Sequence, residues 1–136
     1  MNIRLLNTTI IAVIVTLCLC TSLPIGAEPL TAADYVALEL EARRITLDGV
    51  KDRLILLQGS ADFESQLQHD SNTRQQVDSL YQIYGVTLPG ALVWASHNRQ
   101  AINDYLAERP DQQAEYERIA DELDAVSKQI QTLLQR

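Results

Sequence analysis

The chain has 136 residues, 46% of them hydrophobic and 5% aromatic, with 11 basic and 18 acidic side chains and a net charge of −7. That length holds one modest core and no second domain. The acidity repels phosphate backbones and anionic headgroups, which excludes nucleic-acid binding as an expected role and leaves basic or neutral protein partners.

The first 27 residues read as an export signal: Met1 to Arg4 with one positive charge, an apolar run from Ile10 to Cys20, and a breaker-rich end holding Pro24 and Gly26. Ile25 and Ala27 fit the −3 and −1 positions of a signal peptidase, so cleavage is expected after Ala27. An uncleaved anchor over residues 5–23 is the alternative, since that stretch has no charge and is near the roughly 20 residues a bilayer requires. Asn7, Thr8 and Thr9 weaken it. Lipidation at Cys18 or Cys20 is disfavoured because Leu17 and Leu19, not small residues, precede them. Both cysteines fall inside this leader, so the remaining chain, residues 28–136, has no disulfide to stabilise it. Loss of Arg4 with the leader leaves ten basic against eighteen acidic residues, a net charge of −8.

Beyond the leader, helical periodicity predicts an all-α fold, a small bundle of about four helices, two long and two shorter, in a single domain. The first helix opens at Thr31, an N-cap with Asp34 three residues on as a capping box, and runs to about Gln58. Val36, Leu40, Leu47, Val50, Leu54 and Leu57 form a heptad-like seam interrupted by Arg43. A second stripe of Tyr35, Leu38, Ala42, Ile45 and Leu56 widens the apolar arc, and a helix apolar over so wide an arc is expected to be central, touching at least two others. Gly49, inside this helix, costs roughly 1 kcal/mol against Ala, so it is expected to admit a close helix crossing.

Gly59 is the expected C′ residue and Ser60 the next N-cap. Phe63 and Leu67 make a short apolar turn. Gln68 to Gln76 holds no aliphatic residue, and Asp70, Ser71, Asn72 and Thr73 favour turns, so a break is expected there. Helix resumes with Val77, Leu80, Tyr81 and Tyr84 and stops at Gly85. Thr87 caps a third helix with Pro89 in its first turn and a stripe of Leu88, Leu92, Ala95, Ile102 and Leu106, closed by Arg109 and Pro110. The last helix has the cleanest pattern, Tyr116, Ile119, Leu123, Val126, Ile130 and Leu133.

No constellation of catalytic, cofactor-binding or metal-ligating residues emerges. His69 and His97 have no histidine at helical spacing and are expected to be solvated, although a pairing across the fold stays open. The acid pairs Asp48 with Asp52, Glu117 with Asp121, and Asp121 with Asp124 lie on predicted polar faces. Ser96 beside His97 and Ser71 near His69 lack a nucleophile turn. The scattered glycines make no phosphate loop. Arg43 is expected either to reach the surface or to pair with an acid from another helix, and Trp94, Tyr35, Tyr81, Tyr84 and Tyr105 to form a core edge rather than a pocket.

The expected function is therefore that of an exported, non-enzymatic helical interaction protein of the bacterial cell envelope, periplasmic or secreted, an adaptor or complex subunit with no cofactor. Self-association stays open. The alternatives are a small periplasmic chaperone holding unfolded clients and a small-ligand or metal carrier. Seam exposed on the folded monomer discriminates the first from a chain that uses all its apolar surface for its own core.

Overall fold

A computed structural model describes residues 29–135. The leader, the alternative span 5–23 and the two cysteines lie outside the described residues. Five helices follow one another: α1 Ala32–Gln58, α2 Phe63–Ile83, α3 Leu88–His97, α4 Arg99–Ala107 and α5 Pro110–Leu134. The all-α expectation holds: among the described residues there are five helices in place of four, and no strand. No described helix is long and apolar enough to cross a membrane.

α1 begins as expected. The Thr31 side chain accepts from the Asp34 amide while the Asp34 carboxylate accepts from the Thr31 amide, so two of the orphan donors of the first turn are satisfied reciprocally. Its other end differs from expectation. Gly59 keeps a φ of −79° and Ser60 takes the left-handed position at φ 55°. The Ser60 amide donates to the Leu57 carbonyl and the Ala61 amide to that of Leu56, at 3.1 and 2.9 Å, which is a Schellman closure with serine where glycine is preferred. Ser60 is thus committed to ending α1. Asp62 caps α2 instead, accepting from the Ser65 amide at 2.8 Å. The same closure ends α2, there with Gly85 at φ 68° and with Val86 donating to the Tyr81 carbonyl.

α2 is continuous through the expected break. A helix without aliphatic residues holds when its polar side chains find partners, and here they do. Gln68 donates to Asn72 one turn on, at 2.9 Å, and Asp70 pairs with Arg53 of α1 at 3.0 Å. A His69 ring nitrogen lies 2.9 Å from the Gly49 carbonyl of α1. Thr73 packs where Gly49 leaves space, so a Cβ at that glycine would meet the Thr73 methyl at 2.4 Å. The close crossing expected of Gly49 is thereby present.

The third predicted helix is two. Asn98 interrupts it with φ −115° and ψ 23°, and its side-chain amide donates to the Trp94 carbonyl at 2.8 Å while its backbone amide reaches Trp94 and Ala95. A side chain that competes for a helical carbonyl favours termination, and Asn does so readily.

α1 is the central helix. On one side Val36, Leu40 and Leu47 bury with Ile119 of α5, flanked by Ile102, Tyr105 and Leu106 of α4. On the other, Leu38 and Ala42 bury with Tyr81 of α2 and Ala91 of α3. Contacts from Glu39 to Tyr81 and from Arg53 to Asp70 set α2 antiparallel to α1. The pairs Arg44 with Glu115 and Lys51 with Glu122, at 3.2 and 2.6 Å, advance together along both helices and set α5 parallel to it. Because α2 ends and α5 begins near the same end of α1, α3 and α4 need only cross α1 from one flank to the other.

Two substitutions probe these placements. Gly49→Ala gains helix propensity yet drives a methyl into the stiff, β-branched Thr73, so a net loss of about 1–3 kcal/mol is expected, largely recovered in the Gly49→Ala, Thr73→Ala pair. Denaturant melts of the four members of that cycle check it. Ser60→Gly relieves the left-handed serine and is expected to stabilise by about 1 kcal/mol, read as a raised Tm.

Candidate functional site

Between its two buried faces α1 presents a third side, near α3 and α4, and a part-buried polar group centred on Glu39 sits there. Glu39 uses both carboxylate oxygens. One accepts from the Arg43 Nε at 2.9 Å and the other from the Tyr81 hydroxyl at 3.4 Å. The Arg43 guanidinium lies 5.2 Å from the centroid of the Tyr116 ring, within cation–π range, and the Tyr116 hydroxyl donates to the Val36 carbonyl at 3.4 Å. Tyr35, one turn before Glu39, packs against both apolar clusters, with its ring centroid 5.6 Å from that of Trp94.

Arg43 is therefore paired, but with an acid one turn back on its own helix rather than one from another helix. The physical reason is order: an acid four residues before a base is the favoured arrangement on a helix. Glu39 was the residue missed in the sequence, and its spacing to Arg43 was the signal available. Of the aromatic set, Tyr81 is buried and Tyr35, Tyr84, Trp94 and Tyr105 are half-buried, which is the core-edge placement expected.

The cluster holds its phenols protonated. Burial pushes the Tyr81 hydroxyl up to about 12, with the Glu39 charge adding to it, and the same two causes raise Tyr116 and Tyr35. Each carboxylate oxygen of Glu39 has a partner within the chain, and with Arg43 over Tyr116 the arrangement ties α2 and α5 to α1.

The histidines go to separate local partners. His69 bridges to Gly49 as described, and the His97 Nδ1 lies 2.8 Å from the Val93 carbonyl. The Ser96 hydroxyl approaches that nitrogen to 3.2 Å, closer than the sequence suggests, but it too donates to Val93, at 2.7 Å. Two donors on one carbonyl do not make a nucleophile and its base. Asp48, Asp52, Glu117, Asp121 and Asp124 are all exposed. No group of three His, Cys, Asp or Glu residues suited to a metal occurs among the described residues. Arg44, Arg118 and Lys51 interleave with Glu115 and Glu122 along the exposed seam of α1 and α5, and the Arg118 and Arg44 hydrogen bonds hold Glu115 down at about 2.

What stays open is surface. A groove of about 460 Å³ between α1 and α2 has Val50, Val77 and Leu88 among its apolar lining and Arg53, Asp70, Arg74 and Asp78 among its charges. Beside it runs α3, where only Ala91 is buried and the larger Leu88, Leu92 and Val93 face solvent. Comparison with family models, curated proteins and solved structures gave no match.

A phenol whose pKa is raised by folding binds its proton more tightly in the folded chain, so its contribution is complete below pH 10, the ordinary value, and is lost as pH climbs toward about 12. Thermal melts across that window are expected to show Tm falling, with phenolate absorbance appearing together with unfolding. Tyr81→Phe is expected to flatten part of the fall. A phenolate signal complete by pH 10 in the folded chain contradicts the assignment.

Proposed function

We propose that the chain is an exported, non-enzymatic helical interaction protein of the bacterial cell envelope, an adaptor or complex subunit that docks a protein partner through α3. It works in the periplasm or as a secreted product once residues 1–27 are removed. The observation that carries this reading is the orientation of α3: Leu88, Leu92 and Val93 are 43%, 55% and 60% exposed while the small Ala91 is inside. A helix that buries its alanine and presents its larger aliphatics leaves apolar area unused by its own core, and such area marks contact surfaces. Burying a side chain of this size contributes about 1.5–3 kcal/mol, enough for two or three of them to anchor an interface. The net negative charge of the chain as a whole favours basic or neutral partners.

The test is cross-linking in living cells with a C-terminally tagged full-length chain, followed by mass spectrometry of the captured proteins and of the chain's own N-terminus. One dominant partner is expected, with the mature chain starting at Glu28. Leu92→Asp and Val93→Asp, both at exposed positions, are expected to reduce its capture about tenfold or more without lowering Tm. Capture unchanged by either substitution, a broad set of unfolded exported clients, or an N-terminus at Met1 in a cytoplasmic fraction sinks the reading, and the client set replaces it with the chaperone.

A further inference from the structure

Acidic residues are spread along the chain with one gap. Past Glu28 successive acids stand at most ten positions apart, except that none occurs between Asp78 and Asp104. That interval contains all of α3 and the first turn of α4, so the segment carrying Leu92 brings no negative charge of its own. Of the described lysines and arginines, Arg74 and Arg99 have no ion-pair partner, and each lines a groove. Asp70 and Asp78 share the groove of Arg74, which balances the charge there. The groove of Arg99 lies where α3 gives way to α4 and holds about 270 Å³. Tyr35, Leu92, Ala95 and Ile102 make its apolar lining, and no acid lines it.

Taking α3 as the docking face, as proposed above, we propose that this groove receives an amphipathic helix of the protein partner, an aliphatic side chain seated against Leu92, Ala95 and Ile102 and an Asp or Glu one turn away against Arg99. The described residues offer no strand edge to extend, so the docking segment has to satisfy its own backbone, which a helix does. Spacing sets the pattern: Ala95 and Arg99 are four positions apart, about one helical turn, and a helix laid along them carries its acid one turn from its aliphatic residue. Charge sets the sign. An exposed guanidinium with no internal acid, at the edge of an apolar surface, is met by a carboxylate and repels a base. The two charge scales act at different ranges. At a distance the net negative charge of the chain disfavours a strongly acidic partner, whereas within a Debye length of about 10 Å the contact is governed by Arg99. The partner is neutral or basic overall and places one carboxylate at the contact.

Trp94 is the one tryptophan of the chain, and its ring centroid is 5.6 Å from that of Tyr35, which lines the groove, so its fluorescence reports occupancy. The probe is an acetylated, amidated alanine-based helical peptide with leucines along one face and a glutamate one turn beyond each end of that face. It is titrated into the chain as a bacterial host delivers it from the full-length sequence, against the same peptide with glutamines in place of the glutamates. The glutamate peptide is expected to bind about fivefold tighter at low salt, the difference shrinking as salt is raised. Arg99→Gln is expected to erase that preference and keep the wild-type melt, and Arg99→Lys to retain part of it. Equal affinity for the two peptides, a preference unchanged in Arg99→Gln, or binding of neither peptide overturns the proposal. In the cell, partner capture lost in Leu92→Asp but not in Arg99→Gln overturns it while leaving α3 as the docking face. Capture unchanged in both removes the docking face as well.

Discussion

The constraint on which the fold depends is that α1 must bury two opposite faces at once. Val36, Leu40 and Leu47 point one way and Leu38 and Ala42 roughly the other, so no single neighbour can cover them. α2 and α5 answer by taking one flank each. With α2 returning along α1 and α5 rising beside it, the connection has only to step across the helix, and the break at Asn98 lets α3 serve one core and α4 the other. The extensive helix contacts all involve α1, apart from those of α4 with its chain neighbours α3 and α5.

The polar group at Glu39 follows from the same arrangement. Where α3 and α4 cross, the two cores meet at Tyr35, which packs against both, and a charged residue one turn further on lies between converging hydroxyls. A part-buried carboxylate in that position needs partners for its charge, and Arg43 and Tyr81 supply one for each oxygen. Such a group adds little stability against an apolar alternative but penalises sliding of one helix along another, because a shift costs Glu39 the Tyr81 hydroxyl and Arg43 the Tyr116 ring. The exposed ladder from Arg44 to Glu122 sets the same register on the α5 side, each of its pairs contributing modestly.

Much of this was legible in the sequence because periodicity and caps are local. The width of the apolar arc on α1, the Thr31 capping box, the Thr87 cap and the Arg109–Pro110 boundary depend on residues within a few positions of one another. The errors share a cause: each involved a side chain whose role is set by something distant or by a competition between two local uses. The continuity of α2 through Asp70 and Thr73 rests on α1 supplying Arg53 and the space at Gly49, which no window along α2 contains. Ser60 was read as a cap because serine caps helices, but the closure of α1 claimed it first. Asn98 looked like one polar residue in a helix and acts as its end. Leu88 and Leu92 were read as part of one apolar stripe through Leu106, but with the helix broken at Asn98 α3 turns Ala91 inward and leaves both exposed.

Gly49 and Thr73 mark where two helices approach too closely for a side chain between them, and nothing comparable ties α2 to α5. A change on either flanking helix reaches the other only through the shared wall, so substitutions on the two flanks should combine additively in stability, save at Tyr81 and Tyr116, which meet the same Glu39–Arg43 pair. For a chain diverging over time the result is an uneven tempo. The flanks can drift separately, each tracking its own half of the interior, while α1 answers to both and is held nearly still.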